Sequence, residues 1–345
     1  MKLMEKKDVK DQLSNVLDQD HEEIDLTLSY SKLSDFDRNG AISLVRKSKV
    51  DNNGVKLGSL VDDLLFNDNE YFKSTYYQFD GEKPTATLGL LVDIVVKVYK
   101  EVPNAEEILK IIALNKFWGN IKKVDVLKSN FDKPEFWNYI KGVSEAEGRV
   151  LVTTREYNDA MELVSILKTH PYSTKLLNNN HQNIYQLKFE LFYNRFNIRG
   201  IIDIASIDHE TKTVYLTDLK TGKNVSTEFY SSFVKWRYYM QAAIYTLAFK
   251  EICEHFKLEG YTLAPFQFLY ISKSDKIPLV YTTSEKWIEA AFRGFKLEGV
   301  DYKGINDLLD EIYWCWKNKE YNIPMSVAEN NGNVELNDKY LNVNE

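Results

Sequence analysis

The sequence predicts an α/β protein in which helices flank a mixed central β-sheet, with a helical annex before it. Three observations carry that prediction. Three β-rich runs follow one another in the middle of the chain, a long amphipathic run after them leads into two further strand candidates, and most of the first half is periodic at helical spacing.

Taken in order, the first 25 residues are polar and have little to bury, so they read as a solvent-facing segment. LTLSYSKLSDF (Leu26 to Phe36) offers serines suited to capping a short helix that ends near Arg38-Asn39-Gly40. A stretch with four cations, Val45 to Lys56, leads into LGSLVDDLLF, whose apolar residues at 57, 60, 61, 64 and 65 mark a helix. From Thr87 to Lys168 the pattern is mostly helical, clearest in TLGLLVDIVVKVYKEV, NAEEILKIIALNKFWG and REYNDAMELVSILKTH. QLKFELFYN (186–194), FNIRGIIDIASID (196–208) and KTVYLTDLKT (212–221) then predict three successive antiparallel strands separated by polar turns. Residues 226–253 have the length of one long helix, PFQFLYIS and IPLVYTT supply two more strands, and helices are expected around 285–296 and 305–317. The chain thus divides into a polar segment (1–25), a mainly helical region with the first core helices (26–180), a sheet-bearing core (181–324) and an Asn-rich, flexible tail (325–345).

Composition sets the outer bounds. At 345 residues, 44% apolar and 28% charged, the chain is neither disordered nor fibrous and can bury a large core. It contains no run of eighteen apolar residues, and its N-terminus is charged where a secretory signal needs an apolar stretch, so the expected compartment is the cytoplasm, with no membrane partner. The formal charge of -7 sits at the ends, with -4 in residues 1–30 and -3 in residues 326–345, so a local basic lining elsewhere is compatible with it. Cys253 and Cys315 form no CxxC pair and read as apolar fillers. The five histidines show no zinc spacing. There is no phosphate-binding G-x-x-x-x-G-K-[ST] loop and no G-x-S-x-G elbow.

The chemistry lies in charges that a buried sheet should not hold. Asp203 interrupts an apolar strand, and Asp218 and Lys220, two residues apart, point to one face of the next strand. If the strands are adjacent, the two carboxylates come within reach of one hard cation such as Mg²⁺, which takes oxygen ligands. An ammonium beside them offsets charge on a phosphate and orients an attacking water. A bare D-x-K is more often a surface ion pair on an edge strand, with an acid such as Asp203 in a turn. Context singles it out: Gly200 stands three residues before Asp203, D-x-K follows fifteen residues on, and Gln241 and Tyr245 share one face of the next helix.

The set G-x-x-D (Gly200, Asp203), D-x-K (Asp218, Lys220) and Q-x-x-x-Y (Gln241, Tyr245) resembles the PD-(D/E)XK nucleases, in their RecB-like branch. SYSKLSDF resembles the serine-containing helix near the start of such nucleases, and GSLVDDLLF their G-x-x-x-H helix. REYNDAMELVSILKTHPYSTKLL, the aromatic run before MQAAIY and IYWCWKNKEYNIP resemble the RecE-type exonucleases (exonuclease VIII) of phages. Residues 29–324 are covered for the most part.

The resemblance implies a restriction-endonuclease-like core, with Asp203 and Asp218 as metal-binding carboxylates, Lys220 as the catalytic lysine, and Gln241 and Tyr245 holding DNA near the site. Glu190 matches an acidic or polar position and is either a further ligand or a group behind the ligands. At Asp62 the pattern usually has histidine; the carboxylate either binds the cation or is a solvated residue beside Asp63. Lys223, Lys235 and Arg237 are either phosphate contacts or solvated charges, and the stripe of Phe229, Phe233, Met240 and Ile244 is core. The implied activity is Mg²⁺-dependent (with Mn²⁺ substituting) hydrolysis of linear double-stranded DNA from its ends, 5′ to 3′, for recombination or repair. The implied partners are a single-strand-annealing recombinase and further copies of the chain in a ring, in a bacterial host if the protein is phage-encoded. A single-strand exonuclease or structure-specific endonuclease, and a noncatalytic DNA-binding or virion protein with the same fold, are the alternatives.

Overall fold

The computed structural model describes residues 24–45, 53–84, 86–98, 104–114, 129 and 131–334. Among them, 24–45 and 170–334 form one unit and 53–169 another. The boundary therefore falls at 169/170, not at 180/181 as the sequence pattern suggests, and the first core helix belongs with the sheet. Most of the polar N-terminal segment, the cations at 46–49 and the tail beyond residue 334 lie outside the described residues.

Along the chain, β1 (Ile24–Leu28) precedes α1 (Tyr30–Asn39). Ser29 caps α1 by accepting from the Lys32 N–H, and Gly40 ends it at φ 75°, a conformation that glycine adopts freely. The 53–169 unit holds α2 (Asn53–Phe66), α3 (Asn69–Thr75), β2 (Tyr76–Phe79), α4 (Ala86–Val98), α5 (Ala105–Leu114), α6 (Pro134–Glu145), β3 (Val150–Thr153) and α7 (Thr154–Thr169). Its helices were expected except α3, and the parallel β2–β3 pair was not expected either. Phe79, Leu91, Val95, Ile108, Phe136 and Ile140 form its core.

The sheet-bearing unit resumes with α8 (Pro171–Leu177), β4 (Gln182–Tyr193), β5 (Phe196–Asp208) and β6 (Thr213–Gly222). Asn194 and Arg195 both have positive φ, which closes a two-residue hairpin whose twist matches its strands. At the next turn Asp208 accepts from the backbone N–H groups of Glu210 and Thr211. Then come α9 (Phe229–Lys235), α10 (Tyr238–Leu247), α11 (Phe249–Phe256), β7 (Thr262–Leu263), β8 (Gln267–Ser272), β9 (Leu279–Thr282), α12 (Glu285–Arg293), β10 (Phe295–Leu297), β11 (Val300–Tyr302), α13 (Ile305–Asn318) and α14 (Met325–Glu329).

β1, β5, β6, β8 and β9 lie side by side, with β4 also on β5 and β7 also on β6. The β1–β5 and β6–β8 pairs are parallel and the β4–β5, β5–β6 and β8–β9 pairs antiparallel, so the sheet is mixed. Ile198, Ile202, Ile207, Leu216 and Phe268 pack with Met240, Ile244, Leu308 and Ile312 of the covering helices. The architecture is the predicted one, a mixed central sheet flanked by helices.

The single helix expected over 226–253 is three helices. Arg237 adopts a left-handed φ of 62° between α9 and α10. The Trp236 carbonyl accepts from Tyr30 Oη (2.5 Å) and Ser34 Oγ (3.0 Å) of α1. Arg237 in turn donates to Asp37 at 2.6 Å. These contacts from α1 compensate the break and aim α10 at the sheet. Both cysteines are free thiols, and Cys315 is buried. Among the described residues no helix is long and apolar enough to cross a membrane.

Candidate active site

The site is made by a fork in the sheet. β4 pairs with β5 along one edge, from Gln182–Ile207 to Tyr193–Phe196, at every rung but that of Gln186 and Asp203. On the other edge β5 meets β1 at Phe196 and Ile198, and β6 only from Ile204 to Asp208. The rung after Ile204–Thr217 would set Asp203 opposite Asp218, but there the strands part and β6 continues beside β8. The Leu219 N–H needs a partner once it leaves β5. Asp203 supplies it, accepting at Oδ2 over 2.7 Å, while its Oδ1 accepts from Gln186 Nε2 at 3.1 Å.

Asp218 and Lys220 follow the two-residue period of the strand and point to the same face, where Lys220 Nζ donates to Asp218 Oδ2. Gln241, on α10, donates to the other oxygen, Oδ1, at 2.5 Å. Asp203 and Asp218 are buried, at 8% and 3% exposure. Burial first, and then the negative charge of Asp218, pushes the Asp203 carboxyl up to about 7. Burial likewise raises Asp218, offset only in part by Lys220 and Gln241. For Lys220 burial acts to lower the pKa, yet Asp218 above all, with Tyr238 and Asp203, holds it well above the ordinary lysine value. The lysine is therefore an ammonium, 4.9 Å from the Tyr238 ring centroid. At 17% side-chain exposure, against 4% for Asp218, it is the member of the pair that reaches solvent.

Of the residues singled out in the sequence, Asp203, Asp218, Lys220 and Gln241 come together here. Gly200 is explained by packing: a Cβ would lie 2.5 Å from the Phe189 ring and 3.0 Å from that of Tyr245. Tyr245 stacks edge-on against Phe189 and Phe266 and is buried, so the glycine and the tyrosine of the motif meet each other. Gln241 and Tyr245 thus serve the site from within rather than from an exposed face.

Glu190 is exposed opposite Arg199, four residues along β4 from Gln186, or about 13 Å at strand rise. Lys223 is exposed just beyond β6. Arg237 is committed to Asp37 and lies over the Tyr302 ring. Asp62 is on α2, in the other unit, next to Asp63, which accepts from Tyr76 Oη at 2.5 Å. Phe229, Phe233, Met240 and Ile244 are core, as expected.

Gln186, Tyr238 and Tyr30 were not anticipated. A signal for Gln186 existed, because the two-residue hairpin at Asn194-Arg195 fixes the β4–β5 register and counts Gln186 opposite Asp203. Gln186 has φ 52°, and the residues packed inward switch from Ile184 to Leu187 across it.

The donors present suit a hard cation. Two buried carboxylates lie at neighbouring positions, both disfavoured as anions, and among the described residues the buried Gln241 Oε1 has no hydrogen-bond partner. Mg²⁺ is commonly held by one or two carboxylates while keeping several waters. Among the described residues no group of three or more His, Cys, Asp or Glu is placed to hold a metal, and Asp203 and Asp218 are the two carboxylates that could share one.

The fold and the site together define a mixed α/β protein with two acids and a lysine at a strand fork. No family model and no curated protein sequence matches the chain. A crystal structure of a presumed exonuclease from Eubacterium rectale is similar at 12% identity and a TM-score of 0.43, over 98% of this chain and 96% of that one.

Proposed function

We propose that the protein is a Mg²⁺-dependent deoxyribonuclease that hydrolyses linear double-stranded DNA from its ends, in the 5′ to 3′ direction. The observation that carries this reading is the convergence of Asp203, Asp218 and the Lys220 ammonium at the fork of a mixed sheet. Asp203 and Asp218 would hold the ion, which when bound polarises a phosphate oxygen and lowers the pKa of a water. Gln186 and the Leu219 N–H fix Asp203, and Gln241 fixes Asp218, so the two acids are set before substrate arrives. The Lys220 ammonium orients the attacking water and offsets charge as it builds on the phosphate. A 3′ single strand left by such resection is the substrate of an annealing recombinase, the partner that the motif resemblance implies, together with a ring of identical chains.

The test uses linear duplex DNA labelled at the 5′ or the 3′ end, beside a closed circle, with Mg²⁺ or EDTA. Early release of 5′-labelled mononucleotide from the linear DNA alone, lost in EDTA, is the expected result. Cutting of circles would make the protein an endonuclease, and no metal-dependent cutting of either form would remove the catalytic reading.

A further inference from the structure

Trp236 is an unusual residue to leave in solvent. It is 37% exposed, although it sits between two well-packed helices. Its backbone is fixed, since Tyr30 and Ser34 hold its carbonyl and Asp37 anchors the left-handed Arg237 that follows. The indole is thus mounted on a rigid break rather than on a mobile loop. Two cations stand over it, Arg38 at 5.0 Å and Lys235 at 5.2 Å from the ring centroid.

The cations differ in how they are held. Arg38 Nε donates to the Ser34 carbonyl, and Asp35 lies 3.9 Å from the same guanidinium. Lys235 is exposed and, among the described residues, its ammonium makes no hydrogen bond or ion pair, only its backbone carbonyl accepting from Arg237, so the side chain can leave the ring at little cost. The patch also adjoins the fork. Tyr30, which grips Trp236, lies 6.2 Å from the Tyr238 ring, and Tyr238 carries the Lys220 ammonium.

An exposed aromatic face with free positive charge beside it suits an unpaired base and its phosphate, because every base has a face to stack and no hydrogen-bond code is needed. A base paired within a duplex is already stacked and offers its phosphates alone. We infer that Trp236, Arg38 and Lys235 form a subsite for single-stranded DNA beside the fork, with a nucleobase stacked on the indole and the flanking phosphate at the two cations. The inference rests on the nuclease reading for its meaning, but not for its measurement.

The experiment is a titration in EDTA, where no metal-dependent turnover occurs, of fluorescein-labelled twelve-residue oligothymidylate with the full chain, read by anisotropy. Trp236→Ala is expected to weaken binding about tenfold and Trp236→Phe by less, as loss of one stacked base would. Lys235→Ala, an exposed change that leaves the core intact, should reduce the slope of log affinity against log salt by about 0.7. Binding by Trp236→Ala within twofold of the unsubstituted protein would overturn the subsite, as would an equal loss for a blunt duplex of the same length. Cleavage of DNA in Mg²⁺ by the unsubstituted protein is measured separately; its absence would count against the nuclease reading while the EDTA titration still decides the subsite.

Discussion

Glu156 and the pair at the fork are buried or half-buried acids treated in opposite ways. Glu156, at the start of α7, accepts from Lys83 Nζ at 2.5 Å, the Thr153 N–H at 2.8 Å and Thr153 Oγ1 at 3.2 Å. Burial would raise its pKa, yet these donors outweigh burial and the carboxylate ends below its ordinary value. Asp203 and Asp218 also have two donors each, but they lie deeper and beside one another, and both are raised. The difference is between an acid solved by its own unit and acids left under-compensated. A site built to bind a charged group is expected to look like the second kind.

The largest expected effect that would sharpen this contrast is on turnover. Asp218→Asn should lower Mg²⁺-dependent cleavage of linear duplex about 10³-fold, and Lys220→Met about 10²-fold or more, measured at saturating DNA. Equal activity in either variant would break the assignment of the fork as the reacting centre.

Next comes stability, where the two acids should behave with opposite signs. Asp203 has a folded pKa raised to about 7, so its contribution is fully present below the unfolded carboxylate range and is lost as pH rises through about 7. In EDTA at pH 8, Asp203→Asn should therefore stabilise the protein by about 1–3 kcal/mol in urea unfolding, and the gain should vanish near pH 4. Glu156 is lowered, so its contribution is present above the unfolded range and is lost as pH falls through the folded value. Glu156→Gln should cost about 1 kcal/mol at pH 7, a modest figure because the Lys83 pair is partly exposed, with the gap closing in acid. The smallest effect is expected from Gln186→Ala. Removing one of the two donors to Asp203 should lower turnover about three- to tenfold and stability by less than about 1 kcal/mol, read from the same assays.

Much of this was legible in the sequence because it follows the period of the strand. The three central strands, the shared face of Asp218 and Lys220 and the serine cap of α1 all come from local pattern. What escaped depends on contacts distant in sequence. The break at Trp236-Arg237 is stabilised by Tyr30, Ser34 and Asp37, some 200 residues earlier, so the local pattern reads straight through it. Strand β1 alternates apolar residues at 24, 26 and 28 but is short and paired with β5 at two positions only, which hid it beside a polar segment. Glu190 shares its strand with Gln186, and only the hairpin register shows which of the two faces Asp203.

The central claim is that the fork leaves two acids to be completed by a divalent cation. Calorimetric titration of the full chain with Mg²⁺, repeated with Mn²⁺, tests it most directly, using the unsubstituted protein, Asp203→Asn and Asp218→Asn. The account predicts saturable binding by the unsubstituted protein and its loss in both variants while their folded spectra persist. Undiminished binding in the variants, or none in the unsubstituted protein, would contradict it.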